Sequence, residues 1–263
     1  MNRGDPSEGA MFHDTTATPN TSPHDLALQQ RINRSLLKVL ESVKITLSSE
    51  AKRKHSVFLA LSYKCFETAK SIGSLCDDNL YDDAFALLRV IVEGTINAVY
   101  ILKSDDQVAN DYMDYPQFQA WHQFEQIRSV APELVDPIPP EGRAEMQAQF
   151  DKVRSRYEKH PNEWAKDNIF QRAKFIDTHL FPSLINVVWK DASAYVHSTA
   201  RSIEWRIGTN NQMGASKTAT KEEIATILFY SNAALFTLLA FLDSMTGAKI
   251  DRWKQLYDEW KQP

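Results

Sequence analysis

Arg89, Glu93 and Asn97 recur every fourth residue through a segment that is otherwise apolar on all sides. At about 3.6 residues per turn, that spacing stacks a cation, a carboxylate and an amide on one slowly drifting stripe. A helix that is hydrophobic all round is a buried helix, and ionised side chains are almost never fully buried unless paired. The stripe therefore needs polar partners, in the core or at a wet cleft. A second stripe supplies candidates: Trp189, Ser193, His197 and Arg201 fall at four-residue steps, with Tyr195 close by. If the two helices pack together, Arg89, Glu93 and Asn97 meet Ser193, Tyr195 and His197. Histidine titrates near neutrality, Glu93 can orient it, and Arg89 can hold an anion in its fork, which is the apparatus of acid–base chemistry on a charged substrate. The alternative is a buried hydrogen-bonded network that fixes helix register.

Other chemistries lack their signatures. No His-Glu-x-x-His, Glu-x-x-His or Cys-x-x-Cys is present, so neither a metal nor a cofactor is expected. Asp111, Asp114 and Glu125 read as solvated or capping carboxylates. The Gly208–Thr218 stretch has the wrong spacing for a phosphate-binding loop, and no Gly-x-Ser-x-Gly elbow exists. Cys65 and Cys76 are too few for a disulfide framework and read as structural thiols in a reducing compartment.

The elements that must position the stripes are helical. Eight glycines in 263 residues are few for a chain of many turns, and Ala, Leu, Lys, Glu and Gln dominate the periodic stretches. Ser22-Pro23 predicts a helix start, with 3–4 spacing running to about residue 48. Ser49-Glu50 opens a second helix that Gly73 weakens, and Asp77-Asp78-Asn79 caps the helix carrying Arg89. Ser104-Asp105-Asp106 starts an aromatic-rich helix (Tyr112, Tyr115, Phe118, Trp121, Phe124). The proline-rich stretch 131–142 links it to a charged helix over about 141–160. A helix pair follows at 165–178 and 182–201, then a polar loop from Gly208 to Thr220. Ile224–Leu242 carries no charge, and a short aromatic helix (Trp253, Leu256, Tyr257, Trp260) ends the chain. The expected fold is all-α: a polar, disordered tail over 1–22, then one bundle-like domain over 23–263 around a central hydrophobic helix.

Residues 224–242 reach the length of a membrane span, but Thr226, Ser231, Asn232 and Thr237 interrupt them, and other helices can surround them. A buried core helix in a cytoplasmic protein is expected, with no stable membrane insertion. The formal charge of −4 argues against a dedicated non-specific nucleic-acid binder.

The segments LLRVIVEGTINAVYIL (87–102), Asp111-Tyr112-x-x-Tyr115 and WKDASAYVHST (189–199) resemble an uncharacterised bacterial family of all-helical proteins, a numbered domain of unknown function. The matching positions are Arg89, Glu93, Asn97, Tyr112, Tyr115, Ser193, Tyr195 and His197, and the resemblance spans about residues 30–245. That family is similar in turn to the HEPN superfamily, many members of which are metal-independent RNases in phage-defence or toxin systems with an Arg-x4-6-His signature. Arg154-x5-His160 and Arg172-x6-His179 fit that spacing, but neither pair lies in the segments that carry the resemblance. The resemblance implies an endoribonuclease acting on RNA through Arg89, Glu93, Asn97, Tyr195 and His197. The alternative is a non-catalytic interaction module that forms a homo-oligomer through its aromatic helices, with the polar stripes as core architecture.

Overall fold

Asp25 begins the first helix, its side-chain oxygen accepting the Leu28 N–H at 3.0 Å. The structure, a computed structural model, describes residues 25–43, 45, 47, 51–177, 180–189, 192–193, 219–247 and 250–261. Ser22-Pro23 and the tail 1–22 lie outside those residues. Helix α1 (Leu26–Ser42) stops short of residue 48, because Val43 takes up extended backbone at φ −80° and ψ 114°. Helix α2 (Arg53–Asp77) continues through Gly73, which does not end it. Asp77-Asp78-Asn79 is a turn rather than a cap: Asn79 sits at φ 60°, and α3 (Tyr81–Lys103) starts without a side-chain cap. Asp82 and Asp83 do occupy its first turn, at the positive end of the macrodipole.

Helices α2 and α3 form the closest pair. A Cβ at Gly94 of α3 would lie 2.6 Å from the Cys65 Sγ of α2, so only glycine permits this approach. Helix α4 (Asp106–Val130) is capped by Asp105 and returns through α5 (Pro140–Tyr157). The stretch between them is pinned. Val135 is buried, and Arg143 donates to the carbonyls of Ile138, Val135 and Asp136 at 2.8, 3.1 and 3.0 Å. Asp111 and Asp114, expected to be solvated or capping, remain partly solvated at 30 % and 25 % side-chain exposure and also receive Arg156 of α5 at 3.0 and 2.9 Å. The partner that draws them in lies more than forty residues away, beyond the reach of local pattern. Glu125 pairs with Arg128 one turn along its own helix.

Helix α6 (Ile169–Ile176) opens on an Asn168/Gln171 capping box. Helix α7 (Leu180–Leu184) continues as wider π-type turns over Ile185–Trp189. A Thr220/Glu223 capping box starts α8 (Lys221–Thr246), Gly247 at φ 60° ends it, and α9 (Asp251–Lys261) follows. The fold is all-α, and no strand occurs among the described residues.

The charge-free segment is the centre of the core. Helix α8 lies against α1, α2, α3 and α9, with Ile227, Leu228, Leu235, Leu238 and Leu239 at most 1 % exposed. Both α3 and α8 are long and apolar enough to cross a membrane, with mean hydropathies of 1.7 and 1.8 over 18 residues. The aromatic helices are spent internally. Phe118 of α4 meets Phe150 and Tyr157 of α5 at 5.6 and 5.4 Å between ring centres. Trp260 of α9 meets Phe236 of α8 at 5.1 Å.

Candidate functional site

The α3 stripe passes from wet to dry. Arg89 Nε lies 4.0 Å from Glu93 Oε2, with the side chains 20 % and 40 % exposed. Asn97 is buried, and its Oδ1 has no hydrogen-bond partner among the described residues. Eight residues separate Arg89 from Asn97, about 12 Å along the axis at 1.5 Å per residue, so the first two form a pair and the third stands apart. The Ile185–Trp189 segment packs against α3. Ser193 is half-buried, while Tyr195, His197 and Arg201 lie outside the described residues.

Sequence reasoning missed the polar group beside this pair. Arg172 of α6 is 1 % exposed and is the largest fully buried side chain. Its Nη2 donates to Glu163 Oε2 at 3.1 Å, and its guanidinium lies 4.8 Å from the centre of the Trp164 ring. Tyr112 of α4 presents its ring edge-on to Trp164 at 4.9 Å and 87°. Tyr100 of α3 donates its hydroxyl to Asp167 Oδ2 at 3.0 Å. Glu93 acts electrostatically on both Tyr112 and Arg172, which ties the exposed pair to the buried cation. A signal for Arg172 exists. Ile169, Arg172, Ala173 and Ile176 follow the i, i+3, i+4, i+7 pattern of a buried face, so this arginine stands on an apolar stripe.

Burial sets the electrostatics. It lowers the Arg172 pKa, against the opposing pull of Glu163 and Glu93. It raises Tyr112, with Glu93 adding to the effect, and pushes the Tyr100 phenol up to about 12 together with Asp167. Arg172 Nε and Nη1 and Trp164 Nε1 are buried without a partner among the described residues. Two carboxylates, Glu163 in contact and Glu93 through its charge, already act on this cation, so the cluster does not favour an anion at Arg172 itself. The group can brace Glu93 at the rim, where a substrate could reach it. The Cys65 and Cys76 thiols are buried and pushed up to about 12, far from a nucleophile's range.

The two Arg-x-His spacings differ in kind. Arg154 is half-exposed and bound to Glu158 at 2.8 Å, with an exposed His160 beyond it. Arg172 is core, and His179 lies outside the described residues. No group of three or more His, Cys, Asp or Glu that could hold a metal occurs among the described residues.

A second polar network lies across the molecule. Asn33 of α1 donates to Asn232 Oδ1 of α8 at 3.0 Å, and Asn232 Nδ2 reaches Gln29 O and Oε1, each at 3.1 Å. Trp260 of α9 closes it on Gln29 Oε1 at 3.0 Å. All four residues are at most 3 % exposed and none is ionisable.

A model described as "Family of unknown function (DUF5677)" matches residues 55–214. That span holds Arg89, Glu93, Tyr112, Trp164 and Arg172, whereas Gln29, Asn33, Asn232 and Trp260 all fall outside it. No curated protein and no solved structure matches the chain.

Proposed function

The chain belongs to this family of unknown function, and from that premise we propose that it is a HEPN-like, metal-independent endoribonuclease working at the α3 stripe. The observation that carries the reading is the Arg89–Glu93 pair: two charged groups, 20 % and 40 % exposed, midway along a largely apolar helix, with Glu93 acting electrostatically on Tyr112 and Arg172. That partial exposure leaves both groups within reach of a phosphodiester. In the proposed mechanism, His197, four residues beyond Ser193, takes the proton of a ribose 2′-hydroxyl. Arg89 stabilises the charge that builds on the phosphate, Glu93 and Tyr195 orient the two, and Asn97, two turns deeper than Arg89 and buried, acts only through the packing of α3. The products are a 2′,3′-cyclic phosphate and a free 5′-hydroxyl, with the proton returned to the leaving oxygen. The setting proposed for this activity is the cytoplasm, in a defence or toxin system.

The test is cleavage of a mixed tRNA and mRNA pool in EDTA by wild type and His197→Ala, with circular dichroism confirming that both are folded. One acid–base group is worth about 10²–10⁴-fold in rate, so the expected result is cleavage that vanishes in the folded variant. No cleavage by wild type, or equal cleavage by both, overturns the reading. The second reading, a non-catalytic helical interaction module, is favoured by one observation: Arg89 and Glu93 already offset each other's charge.

A further inference from the structure

A cleft of about 120 Å³ opens between α1 and α2, with the buried Asn33 and Leu228 at its floor and Arg34, Lys70, Gly73 and Asp77 around it. That is room for several waters or one small molecule.

The amide network fixes what the floor presents. Trp260 Nε1 can only donate and the Gln29 backbone carbonyl can only accept, which sets the orientation of the Gln29 and Asn232 amides. Asn232 Oδ1 is then the acceptor for Asn33 Nδ2. Asn33 Oδ1 is left over. It accepts no hydrogen bond from a described residue, and it lies 3.0 Å from where a Cβ on Gly73 would stand. Alanine would be the better helix former at that position, yet its methyl would cover this oxygen. The floor therefore calls for a hydrogen-bond donor.

The rim carries charge of both signs. Arg34 holds Asp77 through Nη2, at 3.1 Å to each carboxylate oxygen, and Gln30 Nε2 also donates to Asp77 at 3.1 Å. Lys70 reaches Glu41 at 3.4 Å. A guanidinium has five N–H donors and an ammonium three, so both cations keep donors for a ligand.

We propose that this cleft binds a small zwitterion, an α-amino acid, whose ammonium donates to Asn33 Oδ1 and whose carboxylate accepts from Lys70 and Arg34. A simple anion would bring no donor to the floor and would meet Asp77. A simple cation would satisfy the floor but stand against Lys70 and Arg34. Gly73 is three residues from Lys70, about 4.5 Å along α2, a span that the lysine stem and the two charged groups of an amino acid bridge. Both cations are more than half exposed, so a weak Kd of about 1 mM is expected. The proposal goes beyond the RNase reading, and its readout is binding rather than cleavage.

The experiment is a nuclear magnetic resonance titration of the isotope-labelled full chain with L-alanine from about 0.1 to about 20 mM, a range that brackets that constant. Circular dichroism is recorded on every variant. Wild type is expected to show saturable shifts of the Gly73 and Ser74 amide signals. Gly73→Ala, whose methyl stands before Asn33 Oδ1, should bind at least about 10-fold more weakly, read at Ser74. Lys70→Glu, at a site exposed enough to leave the fold intact, should weaken binding about 5-fold by repelling the carboxylate. Acetate and methylammonium, which each carry one of the two charges, should bind at least about 10-fold more weakly than alanine. No saturable shift with alanine overturns the proposal and leaves the cleft to solvent. Unchanged affinity in folded Gly73→Ala or in Lys70→Glu overturns it too, as does acetate or methylammonium binding as tightly as alanine.

Discussion

Two polar regions lie inside this apolar bundle, and they are built on opposite principles. Across α1, α8 and α9, Gln29, Asn33, Asn232 and Trp260 exchange neutral hydrogen bonds with almost no solvent contact. Around α3, α4 and α6, the groups are ionised, one cation is buried, and a carboxylate and an arginine reach solvent. Each region holds buried nitrogens without a partner among the described residues, Arg172 Nε and Nη1 here and Gln29 Nε2 there. Neutral amides can specify which helix meets which without linking the fold to pH or salt. Charges in the second region cost desolvation free energy that a purely structural network avoids. That contrast separates architecture from candidate chemistry.

Stability measurements can break this division. The largest effect is expected at Asn232→Ala, which deletes three hydrogen bonds and strands Asn33 in the core. At 1–3 kcal/mol for each group left unsatisfied, urea unfolding should register a loss of about 3 kcal/mol. Next comes Gly94→Ala, whose added methyl meets the Cys65 sulfur; overpacking predicts about 1–3 kcal/mol. Cys65→Ala in the same chain should recover at least about 0.5 kcal/mol of that loss in a double-mutant cycle. A Gly94→Ala protein as stable as wild type would show that α2 and α3 can separate at little cost.

A smaller effect sharpens the picture at the end of α8. Burial alone would raise the Asp243 carboxyl, but the Ile250 N–H at 3.0 Å and the Lys254 ammonium at 3.2 Å outweigh it and hold the carboxyl below its usual range. A depressed folded-state pKa adds stability above the unfolded-state value, near 3.9, and that stability is lost as pH falls through the folded value. Asp243→Asn should therefore cost about 1 kcal/mol at pH 7, and the gap should close as the pH falls through the folded-state value. A gap independent of pH would contradict this account. The smallest effect is expected at Arg172→Met. Glu163 is 39 % exposed and can return to water, and the removed cation was itself under-bonded, so the change should stay within about 1 kcal/mol. If Arg172→Met proves as costly as Asn232→Ala, the two regions are energetically alike and the distinction fails.

Much of the architecture was legible in the sequence, for identifiable reasons. The charge-free 224–242 run announces a core helix, and the four-residue recurrence of Arg89, Glu93 and Asn97 announces a polar stripe on α3. Helix ends were less legible. Asp25 competes with Ser22-Pro23 as a cap signal, and Asn79 adopts a left-handed turn that its composition fits as readily as a cap. Long-range pairing was not legible at all. Nothing near Asp111 names Arg156, and nothing near Asn232 names Gln29 or Asn33. The burial of Arg172, named in the sequence only for its spacing to His179, was legible, because its place on the Ile169–Ile176 apolar stripe is written in local spacing.

The most direct test of the central claim compares the two regions in one assay: RNA cleavage in EDTA by wild type, Arg89→Ala and Asn33→Ala, each scored per folded molecule by circular dichroism. The prediction is that Arg89→Ala stays folded and loses about 10²-fold or more in rate, as expected when a group stabilising transition-state charge is removed. Asn33→Ala should melt at a lower temperature yet cleave normally while folded. Wild type that leaves the RNA intact, or two variants that lose cleavage equally, would contradict the assignment of chemistry to α3 and of architecture to the amide network.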